Sequence, residues 1–148
     1  MIAYKKWHEA IEFTNDDRLT PQKKTAAVNR KNSQTTLTLA AFLGAPLTLI
    51  QQLCEIGGRP LIIAQDNGGR TALLWASLHP NLQVVTHLVQ NGGEELLNKQ
   101  KNMHGYGYTA LHKACFPDNQ NLQVVMDLVE HGGGKELVNK RNKGGNTA

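Results

Sequence analysis

The spacing of one short pattern limits what this chain can fold into more than any other feature. Gly107-Tyr108-Thr109-Ala110-Leu111-His112-Lys113-Ala114-Cys115 joins a turn glycine, a threonine able to cap a helix and a small apolar helix start. Gly69-Arg70-Thr71-Ala72-Leu73-Leu74-Trp75-Ala76-Ser77 is an upstream copy, and Gly145-Asn146-Thr147-Ala148 opens another. Thr71, Thr109 and Thr147 are successively 38 residues apart. A weaker copy, Thr35-Thr36-Leu37-Thr38-Leu39-Ala40-Ala41, lies earlier. A fixed period in the range of roughly 20–50 residues marks an array of stacked units.

Each unit repeats one order of parts. The first spans residues 35–58, the second 71–93 and the third 109–133. A short helix of small residues is followed by a turn rich in Gly, Pro or Asn. A second, amphipathic helix then carries Leu49, Ile50 and Leu53; Val84, Val85 and Leu88; or Val124, Val125 and Leu128 at helical spacing. Gly57-Gly58, Gly92-Gly93 and Gly132-Gly133 close it, as a left-handed cap requires. The apolar pairs that come next, Leu61-Ile62, Leu96-Leu97 and Leu137-Val138, predict an extended arm. Its polar tips are Asp66–Arg70, His104–Tyr108 and Asn142–Asn146, each leading into a capping Thr. Such units cannot bury their apolar faces alone; stacking buries them.

These residues resemble the ankyrin repeat. Asp66-Asn67-Gly68-Gly69-Arg70-Thr71-Ala72-Leu73 is similar to the opening of the family pattern, and Gly107–Ala114 to its Thr-Ala-Leu-His variant. Leu82–Val89 and Leu122–Val129 match its second helix. The resemblance covers residues 35–148. It implies an all-α fold, an α-solenoid of ankyrin-type helix-turn-helix repeats with extended or β-hairpin arms. The repeats would span about 35–70, 71–108 and 109–146, with a further one starting at 147. The chain departs from the family in its period, 36 to 38 residues against roughly 33. Its third inter-helix turn is lengthened by Pro117-Asp118-Asn119-Gln120, and its first unit has no tip glycine.

Residues 1–34 stand apart. Tyr4 to Phe13 reads as a helix with Tyr4, Trp7, Ala10 and Ile11 on one face. Residues 14–20 read as a polar turn, Pro21 to about Val28 as a short helix, and Asn29–Gln34 as a loop. This segment could cap the array. It holds seven Lys/Arg and four Asp/Glu, so most of the chain's net +4 lies here. The repeat body, with nine against eight, is near neutral and offers no basic stripe for nucleic acid.

Chemistry finds little support in the residues. Cys54 and Cys115 occupy non-equivalent positions and make neither metal spacing nor a disulfide framework. His8-Glu9 opens a metalloprotease-like motif, but Glu12 stands where its second histidine is required. Gly105-Tyr106-Gly107 lacks the third glycine and the strand–helix setting of a dinucleotide loop. No apolar run reaches the roughly 18 residues of a membrane span, and Met1–Ala10 is no signal peptide. A cytoplasmic protein, with the nucleus as a second compartment, is expected.

By resemblance, Thr71, Thr109, His112, Gly69 and Gly107 belong to the structural repeat motif, His112 bracing its own turn and the neighbouring repeat. Trp75 is expected to pack as framework. Protein-binding candidates are positions the family leaves variable: Asn67, Arg70, Tyr106, Tyr108 and Lys143 at the tips, and Leu78 and His79 at the end of an inner helix. Phe42, Leu43 and Phe116 sit at equivalent helix ends. Tyr and Arg are enriched at interface hot spots. No cofactor, metal or catalytic residue is expected. The function implied is a non-enzymatic scaffold that binds a protein through its concave face and arm tips. The alternative is a regulatory or targeting region of a larger enzyme or channel. An array stopping at Thr147-Ala148 also predicts a fragment of a longer protein.

Overall fold

The computed structural model describes residues 10–28, 35–100, 106–116, 121–131 and 134–148. Expectations for Tyr4, Trp7, the Asn29–Gln34 loop, the His104 tip, the Pro117–Gln120 turn and the Gly132-Gly133 pair lie outside them. The described elements are helices: α1 (10–15), α2 (Pro21–Val28), α3 (Thr36–Phe42), α4 (Leu47–Ile62), α5 (Ala72–Ala76), α6 (Leu82–Asn98), α7 (Ala110–Ala114), α8 (Leu122–His131) and α9 (Lys135–Val138). No strand occurs among the described residues.

Each capping Thr starts its helix. Thr35, Thr71 and Thr109 accept from the amides of Thr38, Leu74 and His112, filling one of the orphan donors at a helix start. Asn81 and Asn121 do the same for α6 and α8, through the amides of Val84 and Val124. The short helices α5 and α7 hold only five residues each, too few to persist alone. Packing keeps them: α3 lies against α5 and α5 against α7, while α4 lies against α6 and α6 against α8. Each short helix also packs on its own long partner. Two rows result, one of α3, α5 and α7 and one of α4, α6 and α8.

The core runs unbroken between the rows. Leu37, Leu73 and Leu111 fill it from the short helices, and Leu49, Ile50, Val85, Leu88, Val124 and Leu128 from the long ones, all at most 2% exposed. Val28 of α2 joins the same core, and α2 packs on α4. Helix α1 extends to residue 15, two beyond the expected end at Phe13. Its last turn is fixed by Thr14, whose hydroxyl meets the Ile11 carbonyl and Gln52 Oε1, each at 2.8 Å.

The expected extended arms are not formed after the glycine pairs. Gly58 (φ 62°, ψ −168°) and Gly93 (φ 60°, ψ −160°) break their helices, and the chain then makes another helical turn. Leu61, Ile62, Leu96 and Leu97 lie on these turns, each under 5% exposed. In the third unit Gly134 (φ 60°) precedes α9, which buries Leu137. Positive φ with ψ near ±160° is a region open essentially to glycine alone. The break also explains Pro60, which sits in the first turn of a new helix, where its missing N–H removes no bond.

The preceding glycine is held by space. A Cβ on Gly57 would fall 2.4 Å from Leu61 Cδ2, and one on Gly92 2.4 Å from Leu96 Cδ2, with the leucine Cβ atoms at 2.6 Å in both. Gly57→Ala and Gly92→Ala should therefore each lower stability by about 1–3 kcal/mol, the range for overpacking. Urea denaturation measures this, and nearly equal losses at the two sites are expected because the crowding geometry is the same.

Candidate functional site: the short-helix row and its tips

Two of the tips, those at Asp66–Arg70 and Asn142–Asn146, are polar turns built on one side chain each. Asp66 Oδ1 accepts from the amides of Gly68 and Arg70, at 2.8 and 2.9 Å, while its own amide donates to the Arg70 carbonyl. Asn142 Oδ1 repeats this with Gly144 and Asn146, at 2.9 and 3.0 Å. A positive φ at Gly69 and Gly145 closes both turns. Asp66 is an anion where Asn142 is neutral, and its Oδ2 also holds Arg70 Nε at 2.8 Å. That carboxylate is wholly buried, so the pair and the two amides share the task of satisfying it.

A side-chain ladder ties the tips together. Gln65 Nε2 donates to the Gly69 carbonyl (2.7 Å) and to the backbone carbonyl of Gln100 (3.0 Å). Gln100 Nε2 donates to the Gly107 carbonyl (3.0 Å) and to that of Arg141 (2.9 Å). Arg141 Nη1 completes the series on the Gly145 carbonyl at 2.7 Å. The Lys143 amide also donates to the Tyr106 carbonyl at 2.7 Å.

Two histidines connect neighbouring units. His112 Nδ1 accepts from the Thr109 hydroxyl at 2.8 Å and faces its amide at 3.3 Å, closing a capping box. Its Nε2 donates to the Asn146 carbonyl at 3.1 Å. In the first unit Thr38 takes the same place, its hydroxyl within 3.0 Å of the Thr35 hydroxyl. In the second, Leu74 is buried and makes no such bond. His79 Nε2 donates to the Phe42 carbonyl at 2.9 Å, joining the ends of α3 and α5.

The outward side of this row is aromatic and cationic. Arg70 lies over Trp75, its guanidinium carbon 4.8 Å from a ring centre, and Phe42 meets Trp75 edge-on at 4.6 Å. Lys113 Nζ lies 4.9 Å from the Tyr108 ring centre and 4.5 Å from that of Phe116. Tyr108 touches Tyr106, His112 and Phe116 at 5.4–5.7 Å. Arg70 and Tyr108 are equivalent positions, as are Trp75 and Lys113. The second and third units thus pair a cation with an aromatic in the same two slots, in swapped order, while the first has Gln34 and Leu39 there. This pairing was missed in the sequence; it shows only when two columns of the repeat are compared together.

The candidate residues therefore fall into two clusters. Arg70 meets Trp75 and Phe42, while Tyr106 and Tyr108 meet Phe116, with the Lys143 amide on the Tyr106 carbonyl. Tyr106 is 64% exposed and Phe42 42%. Asn67 is exposed at the tip, and Leu78 is half-buried at the end of α5. Leu43 turns elsewhere, into an apolar groove of about 230 Å³ between α3 and the N-terminal helices, with Phe13, Ala27 and Leu39 among its walls. The Trp75 indole N–H is buried without a hydrogen-bond partner among the described residues.

Nucleophilic chemistry finds no footing in the cysteines. Burial, aided by the Glu55 charge, pushes the Cys54 thiol up to about 12. Burial also raises the exposed-edge Cys115 thiol above its ordinary value. Thiols that hold their protons are poor nucleophiles. Cys115 shares a hollow of about 250 Å³ with His112, but both nitrogens of that ring are already engaged. Among the described residues no cluster of His, Cys, Asp and Glu could hold a metal, and no helix is long and apolar enough to cross a membrane.

Two predictions arise from these interactions. Gln100→Leu leaves the Gly107 and Arg141 carbonyls without their donor and should cost about 1–3 kcal/mol in urea denaturation. His87, on α6 against α4, has its pKa lowered by burial, an effect that Glu55 opposes. Its neutral form is favoured in the fold, so the unfolded chain binds the proton first as pH falls. Stability should be unaffected by this group above about pH 6.5 and decline below it. The difference in stability between wild type and His87→Gln, followed across that range, should shrink or reverse toward acid pH.

The ankyrin repeat family model matches residues 106–143, the tip and helices of the third unit. Among curated proteins nothing matches the chain. The match falls on the unit with the complete Thr-Ala-Leu-His turn, and the same cap, core and tip geometry recurs upstream. The chain contains an ankyrin repeat at residues 106–143.

Proposed function

We propose that this chain is a protein-binding scaffold, a short ankyrin-type solenoid whose short-helix row and tips form the docking face. Ankyrin repeats generally mediate protein–protein interaction and are typically non-enzymatic. The observation that carries the reading is a pair of partly exposed clusters, Phe42–Trp75–Arg70 and Tyr106–Tyr108–Phe116. Each sets aromatics on a backbone held by the tip turns and ladder beneath it. Large aromatics and arginine on a rigid support are what interface hot spots are made of. The tips, with their Asx turns and side-chain ladder, replace the β-hairpin arms expected of such a solenoid. Residues 35–70, 71–108 and 109–146 serve as its repeats, and α1 and α2 cap its first edge. Free thiols at Cys54 and Cys115 suit a reducing compartment, the cytoplasm or nucleus.

The test is an affinity capture comparing wild type, an Arg70/Tyr106/Tyr108 triple alanine variant and a control variant altered at Lys135 and Glu136 of α9. Arg70→Ala leaves the buried Asp66 carboxylate with two backbone donors and no ion partner, so the triple variant should melt lower than wild type, and circular dichroism establishes that it is folded before capture is compared. Partners recovered by wild type and control and lost by the triple variant are expected. Equal recovery by all three would show that binding occurs elsewhere.

A further inference from the structure

The groove that Leu43 enters lies between α1, α2, α3 and α4 and holds about 230 Å³. Around it three large apolar side chains stay open to water, Phe13 and Leu39 at 40% exposure and Leu43 at 53%. A contiguous exposed apolar patch of this kind marks a surface that something covers. Thr14 and Thr36 are the polar side chains of its walls. Both hydroxyls are engaged, one on the Ile11 carbonyl and Gln52 and the other on the Val28 carbonyl. Sites for drug-sized molecules span about 300–1,000 Å³ and hold their ligand through a few placed polar groups. This groove is smaller and its polar side chains are taken, so it suits one large apolar side chain. The sequence places such a side chain within reach. Ala10, Phe13 and Thr14 line the groove from α1, and Ile11 packs on the core beside it. Trp7 stands three residues before Ala10, four before Ile11 and seven before Thr14, the spacings of one helical stripe. A helix continued back from Ala10 would carry it one turn along that stripe, a rise of about 4.5 Å.

We propose that this chain's own Tyr4–Glu9 stretch covers the groove, with the Trp7 indole seated against Phe13, Leu39 and Leu43. The proposal stands apart from the docking reading above, which uses other residues. The described part of α1, residues 10–15, is too short to persist as an isolated helix, and a continuation to Tyr4 doubles its length. Tyr4, three residues before Trp7, falls on the same side and extends the cover. A tethered occupant meets the groove at an effective concentration on the order of millimolar, which favours it over a second copy or a free partner. The groove mouth is open at Leu43, so the indole N–H keeps its water while the rings are buried. The array is thereby closed at its first edge by its own N-terminal stretch, and docking is left to the short-helix row and tips.

Tryptophan fluorescence of the full chain tests this. The chain has two tryptophans, so Trp75→Phe leaves Trp7 as its one indole. In that variant Trp7 emission should be blue-shifted from that of a free peptide of residues 1–9, and acrylamide should quench it severalfold less. Two further changes are then added singly. Leu43→Glu puts a charge at the groove mouth, at a side chain already half open, and Ala27→Phe fills the groove from an exposed position on α2. Each should return emission and quenching toward those of the peptide. Emission equal to the peptide's in the Trp75→Phe chain would overturn the proposal. A blue shift that neither groove variant moves would overturn it too, since Trp7 would then be buried elsewhere. Protection that disappears on dilution, together with a dimer in sedimentation, would give the groove to a second copy and overturn the same-chain occupant. Circular dichroism of each variant establishes the fold before emission is compared.

Discussion

Everything in this molecule depends on burial between units rather than within them. A five-residue helix such as α5 has one turn of hydrogen bonds and cannot offset the cost of nucleation. It survives because it packs against α3, α6 and α7, and its Leu73 loses all contact with water. The same holds for Leu37 and Leu111 in their units. The core is a sheet of leucine and valine side chains between two rows of helices, continuous along the array. A threonine cap at the start of each short helix sets where that helix begins. A glycine break toward the end of each long helix sets where its direction changes. Between these two fixed points the side chains simply fill space.

Cap chemistry was readable in the sequence because it is local. Thr71 and Thr109 sit directly before a small apolar run and bond the third amide after them, as the pattern requires. The long amphipathic helices were equally plain, since Val84, Val85 and Leu88 define a face without help from elsewhere. The apolar pairs were misread for a physical reason. Leu61-Ile62 and Leu96-Leu97 are too short to show a period, so a strand and a helical turn fit them equally. Space decided the matter: the glycine break swings the chain back so that a single turn drops both side chains into the core. Helix α1 was read two residues short because Thr14 and Asn15 are turn-formers by composition. Thr14 is held helical by Gln52, a partner far along the chain.

The site was legible in its residues and obscure in its connections. Arg70, Tyr106 and Tyr108 stand out as variable positions on a repeated frame. That Arg70 and Lys113 each lie over a ring could not be seen one column at a time, because the residue types exchange places. His79 looked like a contact residue, yet in the structure it also ties the Phe42 carbonyl of the unit before it. Leu43 looked equivalent to it by position and instead lines the groove against the N-terminal helices. Such double roles arise where a helix end is both an edge of the surface and the junction between units.

The Gln65–Gln100–Arg141 series has a consequence for how this array can vary. Gln65 and Gln100 are 35 residues apart, and Gln100 and Arg141 are 41 apart, while the capping threonines keep a spacing of 38. Lengthening and shortening therefore occur on opposite sides of the ladder and cancel at the next cap. A long side chain with an N–H at its end reaches the glycine carbonyl whether the loop before it is short or long. The ladder works as a coupling with slack: it fixes where each tip lies on the next while leaving the intervening chain free to gain or lose residues.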